Sequence, residues 1–277
     1  MTGRRHISKV NLMFYVILLC YAAIVLYPLA MMVMLSFKTK AEIFMQPLAL
    51  PSSLSITNYI EAWSLAKFGL FFRNSSIVSV ASVLSVLATS SMAAFVLARR
   101  QFRGRNSLQI LFICGLMLPM RLCIIPLFNL IKGLGLEDTH LALILTYTAS
   151  NMAFSIFILT NFFKSIPLEI EEAAFLDGCN DFGVYSRISL PMIRPAMATT
   201  AIFTFVSIWN DLFYPLIFIR TQALRTLPLG IAMFVGEYNT EWSLLFAGIT
   251  MAVLPTIVIY LIMSRQFIEG LSTGAFK

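Results

Sequence analysis

The sequence predicts an all-α membrane protein with six transmembrane helices. Hydrophobic residues make up 59% of the 277 positions and charged residues only 12%, with 24 phenylalanines and a mean hydropathy of +0.85. Soluble chains average about 25% charged residues. The charges here are clustered, which leaves windows of about 20 residues nearly free of them, and that is the length an α-helix needs to cross a bilayer core.

Six apolar windows define the predicted spans. They cover residues 12–36, 77–98, 108–131, 142–163, 197–219 and 244–263. The first window follows basic residues, as the apolar part of a signal peptide does. Its run is too long for a signal peptide, however, and no small-residue cleavage site follows, so it is predicted to remain as a helix. No linker or low-complexity stretch separates the windows, and residues 1–277 are therefore predicted to form a single transmembrane domain.

The distribution of Lys and Arg predicts which loops are cytoplasmic. If the N-terminus is cytoplasmic, the inner side of the membrane holds twelve of these residues and the outer side seven. The densest cluster lies at residues 99–105, in the short loop between spans two and three, where the positive-inside rule is most reliable. Both termini are therefore predicted to be cytoplasmic, together with the segment between spans four and five.

Several classes of function are disfavoured by the composition. The net charge is +7, but the basic residues flank the spans, so a nucleic-acid partner is not expected. The four cysteines form no CxxC pair and there are only two histidines, which argues against a metal or disulfide site. The sequence also lacks the GxxxxGK phosphate-binding loop. No cofactor is therefore expected on this chain.

The segment at residues 164–193 is unusually charged for so apolar a chain. Pro167 suits the first position of a helix, and the acidic residues that follow favour the positive end of the helix dipole. Gly178 suits the left-handed residue that ends a helix. Residues 181–190 then form a second short helix, and Pro191 is expected to stop it just before span five.

The first of these two helices is predicted to contact another protein. Ala173 and Ala174 present only methyl groups, so a foreign surface can approach the helix closely. Helices that rest on lipid headgroups tend to be basic, with large apolar residues, whereas this helix is acidic and rich in alanine. A protein socket is therefore favoured over a resting place on lipid.

The same segment carries a sequence motif. The pattern EAA---G---------I-LP is matched by Glu172, Ala173, Ala174, Gly178, Ile188, Leu190 and Pro191. The chain thus resembles the membrane subunits of binding-protein-dependent ABC importers. The stretches SIWNDLFYPLIF (207–218), RTLPLGIAMFVGEYNTEW (225–242) and RQFIEGLSTGAFK (265–277) are similar to the carbohydrate-uptake subfamily, which includes the maltose and glycerol-3-phosphate importer permeases.

The resemblance implies a passive permease in the inner membrane of a bacterium. It would pair with a second, homologous permease and dock on two ATPase subunits, which would hold ATP and magnesium. A periplasmic or extracellular solute-binding protein would dock on the outside. The EAA motif and the C-terminal tail would contact the ATPase. A loop similar to the family's binding-protein contact holds Gly236, Glu237, Tyr238 and Asn239.

Polar residues at membrane depth are the candidates for a translocation path. A charge at the bilayer centre costs about 2.5–3.5 kcal/mol even on the lenient insertion scale, so it faces protein or water. Arg121 in span three and Asp211 in span five lie at similar depth, and their pairing is a hypothesis. The pair is either part of the path or a polar tie between helices. The other candidates, which suit a sugar path, are Trp209, Asn210, Asn151, Tyr147 and Tyr214.

Two other classes of protein remain as alternatives at this stage. An ion-coupled secondary transporter usually has inverted repeats and several intramembrane carboxylates, whereas Asp211 is the single clear carboxylate here. An intramembrane enzyme would need a nucleophile with a base, or a metal set, within the spans. The sequence offers no such group of residues, and the ABC permease is therefore favoured.

Overall fold

The computed structural model describes residues 9–64, 67–118, 120–232 and 240–275, and the side chains at 13–64, 67–118, 121–232 and 240–262. Within these ranges the secondary structure is helical and contains no strand, which confirms the predicted all-α fold class. In chain order the helices are α1 (Lys9–Ser36), α2 (Lys40–Met45), α3 (Thr57–Ser64), α4 (Phe68–Arg99), α5 (Arg105–Met117), α6 (Ile124–Gly133), α7 (His140–Ser165), α8 (Leu168–Leu176), α9 (Asp181–Met192), α10 (Arg194–Trp209), α11 (Phe213–Phe218), α12 (Leu227–Ala232) and α13 (Trp242–Ala275).

Four of the described helices are long and apolar enough to cross a membrane by themselves. They are Met13–Ser36 of α1, the whole of α4 and α7, and Trp242–Ile262 of α13. Two bent pairs also qualify: α5 with Arg121–Gly133, bent by 86°, and α9 with α10, bent by 76°. The predicted six spans are therefore reached when each bent pair is counted as one span.

The predicted fifth span, residues 197–219, is not one continuous helix. α10 ends at Trp209 and α11 begins at Phe213. Pro215 explains the break, because it has no N–H to donate to the carbonyl oxygen of Asp211 and its ring would clash with that carbonyl.

The predicted third span, residues 108–131, is also interrupted. A 3₁₀ turn at Met120–Cys123 separates α5 from α6. Pro126 lies in the first turn of α6, where the backbone N–H groups have no partner within the helix, so the missing N–H is tolerated there.

The chain divides into two compact units. One comprises Met1–Phe68 and Ile231–Val253, and the other comprises Gly69–Gly230 and Leu254–Lys277. The organisation of residues 1–277 as a single permease domain remains a prediction. The features described below as the candidate site all lie in the larger unit.

The core of the larger unit forms two clusters, one toward each end of α7. The first includes Val78, Leu143, Tyr147, Ile208, Tyr214 and Phe218. The second includes Phe95, Leu159, Phe163, Ile166, Ala174, Val184 and Tyr185. Small residues of α4 such as Ser79, Ser82 and Ser91 are buried, as predicted for positions that let a neighbouring helix approach closely.

The smaller unit folds the segment after α1 back on itself. The Lys38 side chain is 1% exposed, and its Nζ donates to the carbonyl oxygens of Gln46 (2.7 Å) and Pro47 (2.9 Å). Hydrogen bonding by the Ser52 side chain, and then by the Thr39 backbone, lowers the pKa of Glu42 to about 2. This segment is ordered by polar contacts and is more than a simple turn, as its length suggests.

Gly230 of α12 gives a test of packing in the larger unit. A methyl group added at Gly230 would overlap the Phe71 ring, whereas one added at Gly133 would meet nothing within 4 Å. Because overpacking a core costs about 1–3 kcal/mol, we expect Gly230→Ala to lower the thermal unfolding temperature of the purified protein. Gly133→Ala serves as the control, and equal unfolding temperatures for the two variants would contradict this packing.

Candidate functional site

Residues 167–191, here called the EAA segment, begin with helix α8. Pro167 is the N-terminal cap of α8, one position earlier than predicted, and the helix starts at Leu168. Gly178 has a φ of +86°, the left-handed conformation that the sequence predicts for it. The Cys179 N–H donates to the Ala174 carbonyl oxygen at 3.0 Å. This bond closes the helix in the manner of a Schellman motif and reverses the chain.

The second half of the EAA segment is helix α9. The Asn180 side chain caps it by accepting from the Gly183 N–H at 2.8 Å. A π-helical turn at Val184–Ser189 follows. The prediction that Pro191 stops this helix is wrong, because Pro191 lies within α9 and the chain turns at Ile193. The wide turn accommodates a proline that lacks an N–H for the normal α-helical bond.

Glu171, rather than Glu172, anchors the EAA segment. Glu171 is 4% exposed, and its Oε1 accepts from Arg99 Nε at 2.9 Å and from Ser189 Oγ at 2.9 Å. Arg99 Nη2 also donates to the Ile166 carbonyl oxygen at 2.7 Å. Sequence reasoning missed this role, since Arg99 was used there only to orient the spans.

A second set of contacts ties the EAA segment to α4. Arg100, next to Arg99, forms an ion pair with Asp181 and lies over the Phe175 ring, 5.3 Å from its centroid. The Tyr185 and Ser91 hydroxyls lie 2.8 Å apart, both buried. Two successive arginines at the end of α4 therefore hold both halves of the EAA segment.

The motif residues divide between a buried face and an exposed face. Ala174 is buried in the second core cluster, with Ile188 and Leu190 packed against that cluster. The expectation that both alanines are presented outward is therefore wrong for Ala174, which shares a helix face with Glu171. Glu172 and Ala173 are exposed. Leu176, one turn after them, is 90% exposed, so the outer face of α8 combines acidic, small and apolar groups.

The structure also brings together Arg121 and Asp211. Arg121 Nη2 lies 3.6 Å from Asp211 Oδ1, with side-chain exposures of 71% and 9%. Asp211 Oδ2 accepts from the Tyr147 hydroxyl (2.9 Å) and from the Tyr214 N–H (3.0 Å). The guanidinium carbon of Arg121 lies 5.3 Å from the centroid of the Phe213 ring. Four of the predicted path residues thus form one polar group, located in the break between α10 and α11.

The other predicted path residues lie apart from this group. Trp209 is buried, stacked on Phe205 and edge-on to Phe72, each at 5.4 Å between ring centroids. The Asn151 side chain donates to the Tyr147 carbonyl oxygen within its own helix (2.9 Å), and Asn210 does the same with Val206 (2.8 Å). Trp209 is therefore a packing residue within this unit.

The opposite end of α7 holds a polar clamp that the sequence did not indicate. Asp138, just before α7, accepts from the backbone N–H groups of Arg220 (2.8 Å) and Thr221 (3.0 Å). Hydrogen bonding by the Thr221 hydroxyl holds the pKa of Asp138 below its usual value. Asn74 Nδ2 donates to the carbonyl oxygens of Ala223 and Arg225. The four predicted binding-protein contacts, Gly236, Glu237, Tyr238 and Asn239, lie outside the described residues.

A family model described as a binding-protein-dependent transport system inner membrane component matches residues 85–269. The chain belongs to this family. The matched range contains the whole EAA segment and both Arg121 and Asp211. The permease is therefore an inner-membrane subunit of a transporter and not an enzyme, as predicted.

Individual relatives agree with this assignment. The permease is 38% identical to a probable ABC transporter permease protein of Bacillus subtilis, YurM, over 95% of this chain and 87% of that one. It is 36% identical to the diacetylchitobiose uptake system permease protein NgcG of Streptomyces coelicolor, over 95% of this chain and 88% of that one. The predicted ABC importer permease is confirmed.

A solved structure shares the fold. It is a bacterial ABC transporter involved in the import of the acidic polysaccharide alginate, and one of its chains matches the permease with a TM-score of 0.85 at 22% identity. The match covers 96% of this chain and 99% of that chain. The interrupted spans are therefore compatible with a permease fold.

Proposed function

We propose that the permease forms half of the translocation path for a sugar or oligosaccharide. A second, homologous permease forms the other half, and two ATPase subunits bind ATP and magnesium on the cytoplasmic side. A solute-binding protein delivers the solute on the outer side. The sugar class is supported by the named diacetylchitobiose relative and by the fold shared with an alginate importer.

The observation that carries this proposal is the arrangement of α8. One face of this helix is fixed to the larger unit through Glu171, while the opposite face leaves Leu176 90% exposed beside Glu172. An exposed leucine next to an acidic group and a small residue suits a protein partner that offers an apolar pocket with a basic rim. We assign this face to the ATPase subunit.

The mechanism follows from the way α8 is held. Closure of the ATPase pair on ATP moves α8, and the contacts of Glu171, Arg99 and Arg100 pass that movement to α4 and the helices around it. The path then opens alternately to the two sides of the membrane. The chain contributes the path and the mechanical link, and the ATPase subunits contribute the chemistry.

The polar group around Asp211 is assigned to the wall of the path. Arg121 is largely exposed, whereas Asp211, Tyr147 and Tyr214 are buried. A guanidinium held in place by a carboxylate and an aromatic ring is suited to hydrogen-bond a passing hydroxyl or carboxylate group. Tyr147 and Tyr214 then act by holding Asp211.

The direct test is co-purification of the permease with its partners. We expect tagged permease, extracted from its own membranes, to bring down an ATPase subunit and a second permease. Glu172→Lys should insert normally and lose the ATPase, because it places a positive charge opposite the proposed basic rim. Glu137→Lys, the same charge change at the other end of α7, is the control. Retention of the ATPase by Glu172→Lys would contradict the proposed contact.

A further inference from the structure

Three segments of the larger unit converge on one carboxylate. Glu171 Oε1 accepts from Arg99 at the end of α4 and from Ser189 at the end of the π turn. Arg99 in turn donates to the carbonyl oxygen of Ile166, which caps the C-terminus of α7. The ends of α4, α7 and α9 are therefore joined to α8 through four residues.

The four residues, here called the junction, are enclosed by protein. The side chains of Arg99 and Glu171 are each 6% exposed, and Ser189 is fully buried. Phe163, Ile166, Ala174 and Val184 form the apolar cluster beside them. Electrostatic interactions strengthen where water is excluded, and an arginine fork directed at two acceptors fixes their relative orientation. This arrangement specifies geometry more than it adds stability, since a buried ion pair must offset its own desolvation.

We infer that Glu171 is a positioning residue that makes α8 and the inner ends of α4, α7 and α9 move as one rigid body. The inference rests on the proposed function of the EAA segment, because it concerns how a push on α8 reaches the spans. Glu172 and Glu171 then have separate tasks on opposite faces of one helix. Glu172 contacts the ATPase, and Glu171 transmits the movement inward.

The π turn provides the matched pair of serines for a test. Ser189 Oγ donates to Glu171, whereas Ser186 Oγ donates to the Phe182 carbonyl oxygen of its own helix, at 2.7 Å. Ser189→Ala therefore removes one donor of the junction, and Ser186→Ala removes a hydroxyl of the same kind beside it. Glu171→Gln keeps the shape of the side chain and removes its charge.

The experiment measures the distance between two spin labels in the assembled complex. The labels are placed at Ile77→Cys on α4 and at Asp177→Cys after α8, in a background whose native cysteines are replaced by alanine. Arg99 lies 22 residues after Ile77, so the labels are separated by roughly 35 Å along α4, which suits pulsed electron resonance. We expect one narrow distance distribution that is the same with and without ATP plus vanadate.

The variants distinguish the inference from its alternatives. Glu171→Gln should broaden the distribution and make it shift on addition of ATP plus vanadate, Ser189→Ala should do so to a smaller extent, and Ser186→Ala should match the parent. The ATPase must still co-purify with each variant. A distribution in Glu171→Gln as narrow and unshifted as that of the parent would overturn the inference. If Glu171→Gln does not accumulate, the two serine variants decide, and equal distributions for them would overturn it.

The outcome is separable from that of the proposed function. If the parent permease brings down no ATPase, the proposed function fails. If the complex forms and the label distance in Glu171→Gln stays fixed, only the junction fails.

Discussion

Gly178→Pro is expected to abolish uptake of the transported solute while leaving insertion into the membrane intact. Gly178 has a φ of +86°, and proline is fixed near −65°. The Gly178 N–H also donates to the Phe175 carbonyl oxygen at 3.0 Å, and proline has no N–H. The turn after α8 cannot form, so the exposed face of α8 loses its position relative to α9. Uptake by cells that contain the complete importer measures the effect.

A pair of alanine variants controls for general backbone strain. Gly104 has a φ of +94° and, like Gly178, has nothing within 4 Å of an added Cβ. Gly104→Ala and Gly178→Ala therefore both carry the cost of a left-handed residue, about 1–2 kcal/mol. We expect uptake to fall further in Gly178→Ala. Normal uptake in Gly178→Pro, or equal losses in the two alanine variants, would contradict a role of this turn in coupling.

Asp211→Ala is expected to destabilise the permease more than Arg121→Ala does. The Tyr147 hydroxyl is buried and donates to Asp211, and leaving a buried donor without an acceptor costs about 1–3 kcal/mol. The Arg121 side chain is largely exposed, and an exposed ion pair contributes only about 0–1 kcal/mol. The thermal unfolding temperature of each purified variant measures the difference.

Asn210 provides the control for Asp211. It is the neighbouring residue, it is exposed, and its side chain bonds only to the Val206 carbonyl oxygen within α10. Asn210→Ala should therefore have little effect on the unfolding temperature. An Arg121→Ala variant that unfolds at or below the temperature of Asp211→Ala would show that the ion pair, rather than the tyrosine contacts, dominates this site.

The sequence predicted those features that depend on a residue's own chemistry. The conformation of Gly178 follows from the freedom of glycine at positive φ, and the spans follow from the length of the apolar windows. The proximity of Arg121 and Asp211 was reached from counting depth, because charged groups within a membrane seek partners.

The features that depend on distant partners were not predictable in the same way. Glu171 and Glu172 are identical in type and adjacent in sequence, and only the position of Arg99, 72 residues earlier, buries one of them. The break at Asp211 was missed although Pro215 was visible, since a membrane helix often tolerates proline when neighbours satisfy the freed backbone groups. The ring contacts of Trp209 likewise arise from helices that lie far apart in the chain.

The π turn at Val184–Ser189 gives a geometric reason for the fixed number of residues between Gly178 and Pro191. In a helix each residue accounts for about 100° of rotation. Deleting one residue from this stretch would turn everything before it by that angle relative to α10. Phe182 and the loop at Gly178 would then point in another direction, and the Ser189 hydroxyl would no longer meet the carboxylate. The length of this stretch therefore sets an angle, and insertions or deletions are tolerated there far less than substitutions.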